Sequence, residues 1–295
     1  MEFEDSDYIL DIGGNDGTFL ELFKEHKISA LNVDSGILQA EISNSKGISC
    51  INKFFNSQTA NEILKSHGKA LVIHGSGILF HLEELHDAFK GIKNILADDG
   101  TLVAEFIYLP EMIKNCAYDQ IYHEHLLYYS LYTFQKLLDQ FDLEIFDAEL
   151  KPIHGGSCVA YVTHKGGKDQ TSRLSKMKEK EIEEGIDNLQ VYFDFADKVI
   201  HHKIVFIEMI KDLRAQGKRI QALGAPVKGS TIINYCKLTS EDIECGVEIN
   251  PHKFDTYFPG TKIPVYDQNS MPEPDVYLLL AWNFKEEILP RLRSF

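Results

Sequence analysis

The stretch that decides the fold is YILDIGGNDG, residues 8–17, which joins a short apolar run to a turn containing three glycines. The apolar run up to Ile12 predicts a strand, and TFLELFKEH from Thr18 onward has the apolar spacing of a helix. Glycines between a strand and a helix let the backbone approach a ligand closely, and the helix N-terminus directs N–H groups towards it. The stretch therefore predicts a nucleotide-binding strand, loop and helix.

The glycine spacing separates two classes of nucleotide ligand. A dinucleotide fingerprint GxGxxG in this register needs glycine at position 12, where the chain has Ile12. The pattern from Asp11 to Gly17, acidic-x-Gly-x-x-x-Gly, instead resembles the first motif of S-adenosyl-L-methionine (SAM) dependent methyltransferases. The next apolar run, ALNVD, ends at Asp34, where a carboxylate can accept hydrogen bonds from both ribose hydroxyls. Taken singly, these features also fit a plain βα turn and a strand end; their order favours a cofactor.

We therefore predict that SAM is the cofactor of this chain. The residues expected to bind it are Asp11, Gly13, Asn15, Gly17, Asp34 and Phe55.

Strand and helix patterns continue to alternate after this unit. We predict a strand at 70–74, a helix from about Leu82 to Leu96, a turn at 98–100 and a strand at 101–106. Such alternation predicts an α/β fold with a doubly wound, Rossmann-like parallel sheet. Residues 1–165 are predicted to form the SAM-binding methyltransferase domain.

The remainder of the chain predicts two further segments. Residues 166–217 begin with the polar stretch GGKDQTS and continue as one or two amphipathic helices, which predicts a linker and helical region. Residues 218–295 repeat the strand, glycine turn and helix pattern and are predicted to form a second, smaller α/β domain on the substrate side.

Composition restricts the partners and the compartment. Acidic residues outnumber basic ones by 45 to 30, a net charge of −15, which disfavours a nucleic-acid partner. The five cysteines form no CxxC pair, which argues against a cysteine zinc site and for a reducing compartment. The N-terminus is acidic and no apolar run approaches the ~20 residues that span a bilayer. We expect a cytoplasmic monomer or homodimer that binds no membrane.

The stretch YDQIYHEHLLYY, residues 118–129, places two histidines, a glutamate and an aspartate among tyrosines and leucines. Burying titratable groups side by side is costly unless they are paired or used in function. Three later motifs accompany it: HGGS at 154–157, GAPVKGSTIIN at 224–234 and PGTKIPV at 259–265. Together these motifs resemble the sugar C-methyltransferases, which use SAM to methylate a ring carbon of a nucleotide-linked keto-deoxysugar.

The resemblance implies a mechanism and a set of site residues. His125 would be the base that removes the proton beside the ketone, since an imidazole with a reference pKa of about 6.5 suits this role. Glu124 would orient or polarise the site, while Tyr122 and His81 would donate hydrogen bonds to the enediolate oxyanion. No metal is required. Residues implied in substrate binding are His154, Gly155, Lys228 and Asn234.

Two points remain open from the residues alone. If 118–129 is helical, neighbouring side chains point about 100° apart, so only one of His123 and His125 faces the site. Lys228, at a predicted helix N-terminus, fits either an anion site or a solvated lysine at a tight turn. The alternatives to carbon methylation are an O- or N-methyltransferase of a small metabolite and a catalytically silent nucleotide-sugar binding protein.

The sequence departs from the family pattern at two places. The family usually begins with a small zinc-binding domain with paired cysteines and a tyrosine- and serine-rich segment, and this sequence contains neither. The family often continues HGGS with an aliphatic residue and arginine, where this chain has Cys158 and Val159. We therefore expect weaker shielding of the cofactor from water and a different contact for the substrate's charged group.

Overall fold

The computed structural model describes residues 3–4 and 6–292. The chain divides into two compact units. The first holds the described part of Met1–Glu111 together with Glu124–Asp187, and the second holds Met112–His123 with the described part of Asn188–Phe295. No helix among the described residues is both long enough and apolar enough to cross a bilayer.

The two units divide the predicted linker and helical region between them. Its first helix belongs to the first unit, where Leu174 is fully buried in the core. Its second helix belongs to the second unit, where Phe206 and Ile210 pack into a separate core. Residues 166–187 and 188–217 therefore belong to different units, because the apolar face of each helix is buried against a different sheet.

The first unit alternates strands and helices up to its fifth strand and ends with a β-hairpin and a helix. Its elements are β1 (Tyr8–Ile12), α1 (Thr18–Glu21), β2 (Ser29–Val33), α2 (Ile37–Ser45), β3 (Ser49–Ile51), α3 (Ser57–His67), β4 (Ala70–Ser76), α4 (Leu85–Ile95), β5 (Leu96–Ile107), α5 (Leu109–Lys114), α6 (Leu131–Leu138), β6 (Leu143–Lys151), β7 (Ser157–His164) and α7 (Ser172–Glu183). Of these, α5 spans the boundary between the units.

The first unit is built on a seven-stranded sheet in the order β3-β2-β1-β4-β5-β7-β6. The first five strands are parallel, whereas β7 is antiparallel to both β5 and β6. The architecture is the Rossmann-like fold predicted from the alternation, with a mixed rather than purely parallel sheet. The difference arises because the short HGGS loop joins β6 to β7 as a hairpin, and a hairpin requires antiparallel strands.

The second unit has its own five-stranded sheet, in the order β10-β11-β9-β8-β12. Four of these strands are parallel, and β10 is antiparallel to β11. Its elements are α8 (Leu189–Ala215), β8 (Ile220–Leu223), α9 (Val227–Tyr235), β9 (Cys245–Glu248), β10 (Thr256–Tyr257), β11 (Pro264–Asp267), β12 (Val276–Leu279) and α10 (Lys285–Leu292). The predicted second, smaller α/β domain is thus present.

Residues 118–129 do not form the helix that was considered as one possibility for this stretch. Residues 118–120 form a single 3₁₀ turn, and residues 121–128 form no helix. Two backbone hydrogen bonds join the C-terminal part of this segment to distant parts of the first unit: Leu126 N–H donates to the Phe80 carbonyl, and Leu109 N–H donates to the Tyr129 carbonyl. Because long-range partners satisfy these backbone groups, the segment does not need helical bonds.

Candidate functional site

The glycine loop after β1 is held by the end of β2. The N–H of Gly13 (φ +69°) donates to the Val33 carbonyl at 2.8 Å. Asn15, also in the left-handed region (φ +52°), donates its N–H to Asp34 Oδ2 at 2.9 Å. The Asn32 side-chain amide donates to the Asn15 carbonyl at 2.8 Å. Two residues of the second strand and the aspartate that follows it therefore set the shape of the loop.

Glycine is required at position 14 by close packing. A Cβ on Gly14 would lie 2.5 Å from Asn32 Oδ1 and 2.6 Å from Asp11 Oδ2, distances at which real side chains are not found. Gly17 (φ +76°) begins α1 and lies outside the lining of the cavities described below. The loop thus lies directly on buried polar side chains of β1 and β2.

A first cavity of about 570 Å³, cavity 1, opens on one side of this loop. It is lined by Asp11, Gly13, Gly14, Asn15, Asp16, Thr18, Phe19, His74, Ser76, Val103, Glu105, Ile153 and Val159. Asp11 is only 2% exposed, and its Oδ1 lies 2.8 Å from His74 Nδ1. Burial raises the pKa of Asp11, and the hydrogen bond with His74 opposes that rise.

A second cavity of about 790 Å³, cavity 2, shares Gly13 with the first. Its lining includes Asp34, Phe54, Phe55, Ile78 and His81, together with residues from the start of α4. Asp34 also accepts the Gly36 N–H at 2.8 Å through Oδ1, so each carboxylate oxygen already holds one backbone donor. Each oxygen retains a further lone pair, so the carboxylate can still accept hydrogen bonds from a ligand.

The two cavities suit a nucleoside that carries an amino-acid tail. Cavity 2 offers a carboxylate for a ribose and the apolar side chains of Phe55 and Ile78 for a base. Cavity 1 offers buried acidic groups, among them Glu105, whose Oε1 is buried and has no hydrogen-bond partner within the described chain. These residues fit SAM. Asp11, Gly13 and Asn15 line cavity 1, and Gly13, Asp34 and Phe55 line cavity 2.

The predicted catalytic histidines lie together in the first unit. His81, which lines cavity 2, has its Nδ1 2.7 Å from the Glu124 carbonyl oxygen. Because a carbonyl only accepts, Nδ1 carries the hydrogen. The half-buried His125 ring lies 5.1 Å from the His81 ring and 4.8 Å from the Phe80 ring, centroid to centroid. The His125 imidazole thus packs directly against a residue of the cavity wall.

Tyr122 and Asn234 meet in the second unit. Both line a third cavity of about 430 Å³, cavity 3, formed with residues of α9 and of the segment around β10. The Asn234 amide donates to the Ser230 and Pro259 carbonyls at 2.7 and 2.9 Å, which joins α9 to the PGTKIPV segment. These contacts bring two of the sequence motifs, GAPVKGSTIIN and PGTKIPV, to one cavity.

Lys228 lies outside that cavity lining, in the first turn of α9. Its Nζ lies 5.4 Å from the centroid of the Trp282 ring. Burial lowers the pKa of Lys228, and the negative charge of Asp119 opposes the change. Asp119 is itself buried and accepts the Trp282 indole N–H at 2.6 Å. The stretch 118–129 thus places a buried carboxylate, that of Asp119, in the second unit.

The HGGS loop approaches cavity 1 from the side of β7. His154 (φ +53°) and Gly155 (φ +87°) form the tip of the β6–β7 hairpin, and the His154 side chain is exposed. Ile153 and Val159, on either side of the loop, line cavity 1. His154 and Gly155 therefore border the cavity without belonging to its lining.

The residues of cavity 1 that the sequence did not predict include three polar residues on β4 and β5, namely His74, Ser76 and Glu105. A signal for them exists. His74 and Ser76 alternate with apolar or small residues along β4, and Glu105 is a charged residue inside the apolar run LVAEFI. Alternating residues on a strand share a face, so a polar pair on a buried strand indicates a polar cavity.

Comparison with known proteins adds independent findings. Residues 152–295 match the family model of the C-methyltransferase C-terminal domain, and residues 2–148 match that of a methyltransferase domain. The chain is 31% identical over 294 residues to the C-methyltransferase NovU of Streptomyces niveus, covering 99% of this chain and 70% of that protein.

Similar solved structures cover about half of the chain. A SAM-dependent methyltransferase from Anabaena variabilis matches 55% of this chain and 79% of its own, with 14% identity and a TM-score of 0.44. The magnesium protoporphyrin IX methyltransferase of Synechocystis, solved with bound S-adenosylhomocysteine, matches 54% of this chain and 74% of its own, with 11% identity and a TM-score of 0.43.

Proposed function

The chain belongs to the C-methyltransferase family and is a SAM-dependent methyltransferase, and from this premise we propose that it methylates a carbon beside the keto group of a nucleotide-linked deoxysugar. Family membership favours carbon as the acceptor over the O- or N-methyl alternatives, and an enzyme over a silent binding protein. One observation supports the mechanism most directly: the His125 imidazole packs against His81, on the wall of the cavity that also contains Asp34.

Carbon methylation needs a nucleophilic carbon, which a ketone provides after loss of a neighbouring proton. SAM, when bound, supplies a methyl group that is electrophilic because it is attached to a sulfonium. We propose that His125 accepts the proton and that the resulting enediolate is stabilised by hydrogen-bond donors. The Phe80 and His81 rings hold the His125 ring, so the base is positioned before the substrate arrives.

The hydrogen bond of His81 defines what that residue can do. Since Nδ1–H is donated to the Glu124 carbonyl, Nε2 is the nitrogen left for a substrate atom. In the neutral ring Nε2 accepts a hydrogen bond, and only the imidazolium donates through it. The proposed role of His81 as a donor to the oxyanion therefore requires its protonated form. Glu124 acts in this arrangement through its backbone carbonyl, and we propose that its side chain polarises the site.

In the second unit, residues of cavity 3 and Lys228 are proposed to bind the nucleotide sugar. Tyr122 and Asn234 line cavity 3, which supports a role for both in binding the acceptor. Lys228 is proposed to pair with the diphosphate; this role competes with the contacts of the lysine to Trp282 and Asp119. His154 and Gly155, at the hairpin tip bordering cavity 1, complete the proposed substrate residues.

We also propose a compartment, a class of substrate and an oligomeric state for the enzyme. All five cysteines are free thiols in the structure, which supports a reducing, cytoplasmic location. The net charge of −15 supports a small-molecule substrate rather than a nucleic acid. A role in deoxysugar biosynthesis follows from the proposed acceptor, and the active form is a monomer or a homodimer.

The test uses the exchange of the substrate's acidic C–H with solvent deuterium. Purified protein is incubated with S-adenosylhomocysteine and a panel of nucleotide-linked keto-deoxysugars in deuterated buffer, and exchange is followed by NMR. We expect exchange with wild type and with His26→Ala, a change at an exposed histidine outside the three cavities, and a loss of about 100-fold or more with His125→Ala, within the usual range for a general base. Calorimetry should give the same S-adenosylhomocysteine affinity for all three proteins.

Two results would contradict the proposal in different ways. Unchanged exchange in His125→Ala would remove His125 as the base while leaving the methyltransferase assignment intact. Absence of exchange and of methyl transfer for every keto sugar, in a wild-type protein that binds S-adenosylhomocysteine, would remove the sugar acceptor.

A further inference from the structure

Glu105 is a buried carboxylate without a charged partner. The residue is 4% exposed and lies on β5 between Ala104 and Phe106, both fully buried. Its Oε2 accepts the Ser76 hydroxyl at 3.0 Å, while its Oε1 is buried and makes no hydrogen bond to any described residue. Within the described chain, Glu105 also makes no ion pair. Burying a carboxylate with one unsatisfied oxygen is unfavourable, which indicates that a missing partner completes the site.

The strand register places Glu105 on the same face of the sheet as the glycine-loop carboxylate. Asp11 on β1 lies opposite His74 on β4, and Ser76, two residues further along β4, lies opposite Glu105 on β5. Opposed residues of parallel strands share a face, and residues two apart on one strand do as well. The four side chains consequently line the same cavity as the glycine loop.

Asp11 and Glu105, the two carboxylates on this face of the sheet, have hydrogen-bond partners that differ in charge. Asp11 bonds to an imidazole, which can carry a positive charge, whereas Glu105 bonds only to a neutral hydroxyl. Asp16, a third acid of the cavity lining, is already paired with Lys46 at 2.8 Å. Glu105 is therefore the carboxylate of the cavity 1 lining whose negative charge is not balanced by a cationic group of the described chain. A ligand with a positively charged group would balance it.

We propose that Glu105, oriented by Ser76, binds the ammonium group of the cofactor's amino-acid end. The inference rests on SAM as the methyl donor of the proposed function. An ammonium matches both needs of the site, because it supplies N–H donors for the unsatisfied oxygen and a positive charge for the carboxylate. A sulfonium is cationic but has no N–H to donate. The cofactor's own carboxylate is repelled by Asp11 and Glu105 and must point away from them.

The experiment compares three ligands that differ in charge near this site. SAM carries the ammonium and the sulfonium, S-adenosylhomocysteine carries only the ammonium, and 5′-methylthioadenosine carries neither. Calorimetric titration of Glu105→Gln should show affinity for SAM and for S-adenosylhomocysteine reduced about 10- to 100-fold, the range for hydrogen bonds to charged groups. Affinity for 5′-methylthioadenosine should stay within about twofold of wild type, since that ligand lacks the contact.

A matched control removes a glutamate charge elsewhere in the first unit. Glu144 lies on β6, at the edge of the sheet, where its carboxylate accepts the Gly166 N–H. Glu144→Gln should leave all three affinities unchanged. Thermal melting of each variant establishes that it is folded.

If Glu105→Gln does not fold, two other measurements test whether Glu105 binds the ammonium group. Glu105→Asp keeps the charge but withdraws it from the cavity, and should reduce the preference for S-adenosylhomocysteine over 5′-methylthioadenosine. Wild type should also bind S-adenosylhomocysteine at least tenfold more tightly than an analogue that lacks only the amino group.

Four results are informative. Equal affinities of wild type and Glu105→Gln for S-adenosylhomocysteine would overturn the inference, as would a loss confined to SAM, which would assign the sulfonium instead. An equal loss for all three ligands would mean that Glu105 supports the loop rather than the ammonium. Failure of wild type to bind any of the three would refute the cofactor assignment itself, which is a different conclusion.

Discussion

The buried Asp11–His74 pair leads to the prediction that can be worked out furthest. The perturbation is His74→Phe. In the wild type the His74 ring stacks on Phe19 with a centroid separation of 4.0 Å and an interplanar angle of 21°. A phenyl ring keeps this stacking and removes the 2.8 Å hydrogen bond to Asp11. The substitution therefore isolates the polar contribution of the pair from its packing contribution.

The expected magnitude follows from the burial of the two groups. A hydrogen bond to a charged group contributes about 1.5–3 kcal/mol, and breaking a fully buried ion pair costs about 3–5 kcal/mol. The Asp11 side chain is 3% exposed and that of His74 15%, which places the pair between these cases. We expect His74→Phe to lower the free energy of unfolding by about 2–4 kcal/mol at pH 7.

The loss should depend on pH with a definite sign. Burial raises the pKa of Asp11 above its ordinary value of 3.8, and His74 opposes this, so His74→Phe raises that pKa further. An acid with a raised folded-state pKa binds more protons when folded, so its contribution to stability falls as pH rises through that pKa. The destabilisation should therefore be small below about pH 4 and grow towards neutral pH. Asp11→Asn in the same background should remove this dependence.

The assay is urea unfolding followed by circular dichroism at pH 4.5 and 7.5. Fluorescence alone is insufficient, because Trp282, the one tryptophan of the chain, belongs to the second unit while Asp11 and His74 belong to the first. The double variant Asp11→Asn, His74→Phe should recover about 1.5–3 kcal/mol relative to the sum of the single variants. Equal destabilisation at both pH values, with no recovery in the double variant, would refute an electrostatic pair.

Three further outcomes are expected. Asp34→Ala should weaken S-adenosylhomocysteine binding about tenfold or more, because the carboxylate holds the glycine loop and faces cavity 2; calorimetry checks this, and unchanged affinity would contradict it. Glu181→Ala should lower the free energy of unfolding of the first unit by roughly 3 kcal/mol, because three hydrogen-bond donors lose a buried acceptor. Urea unfolding measures this loss, which should be larger than the loss caused by Glu62→Ala on the exposed surface. Burial raises the pKa of Asp119, which accepts the Trp282 indole N–H. Trp282 fluorescence should therefore change as the pH rises above about 4 and the Asp119 carboxylate ionises. Asp119→Asn should show no such change, and the same change in this variant would contradict the assignment to Asp119.

Much of the fold could be predicted because it is encoded in local patterns. The glycine turn after β1, the acidic residue ending the second apolar run and the alternation of strands and helices are features of neighbouring residues, and the structure confirms the Rossmann-like unit they predict. The apolar runs on either side of HGGS likewise predict two strands, and β6 and β7 pair there as a hairpin. The predicted turn at 98–100 lies within β5 as an irregularity of its pairing with β4.

The errors occurred where partners are distant in sequence. A helix was considered for residues 118–129 because their composition permits one, but Leu126 N–H bonds to the Phe80 carbonyl and the Tyr129 carbonyl accepts from Leu109 of α5. The division of the helical region between two units was missed for the same reason, since nothing local shows which sheet buries Leu174 and which buries Phe206.

By itself, the sequence determined the class of fold, the glycine loop with Asp34, and the motifs that identify a C-methyltransferase, because these depend on residue types at short spacing. Only the tertiary structure decided which buried polar groups share a cavity. Asp11, His74 and Glu105 lie on three strands that become neighbours through the order β1-β4-β5, and the register of those strands depends on packing across the whole sheet. Side chains that are neighbours across a sheet can be far apart in sequence, so the order of residues along the chain does not show that they are close.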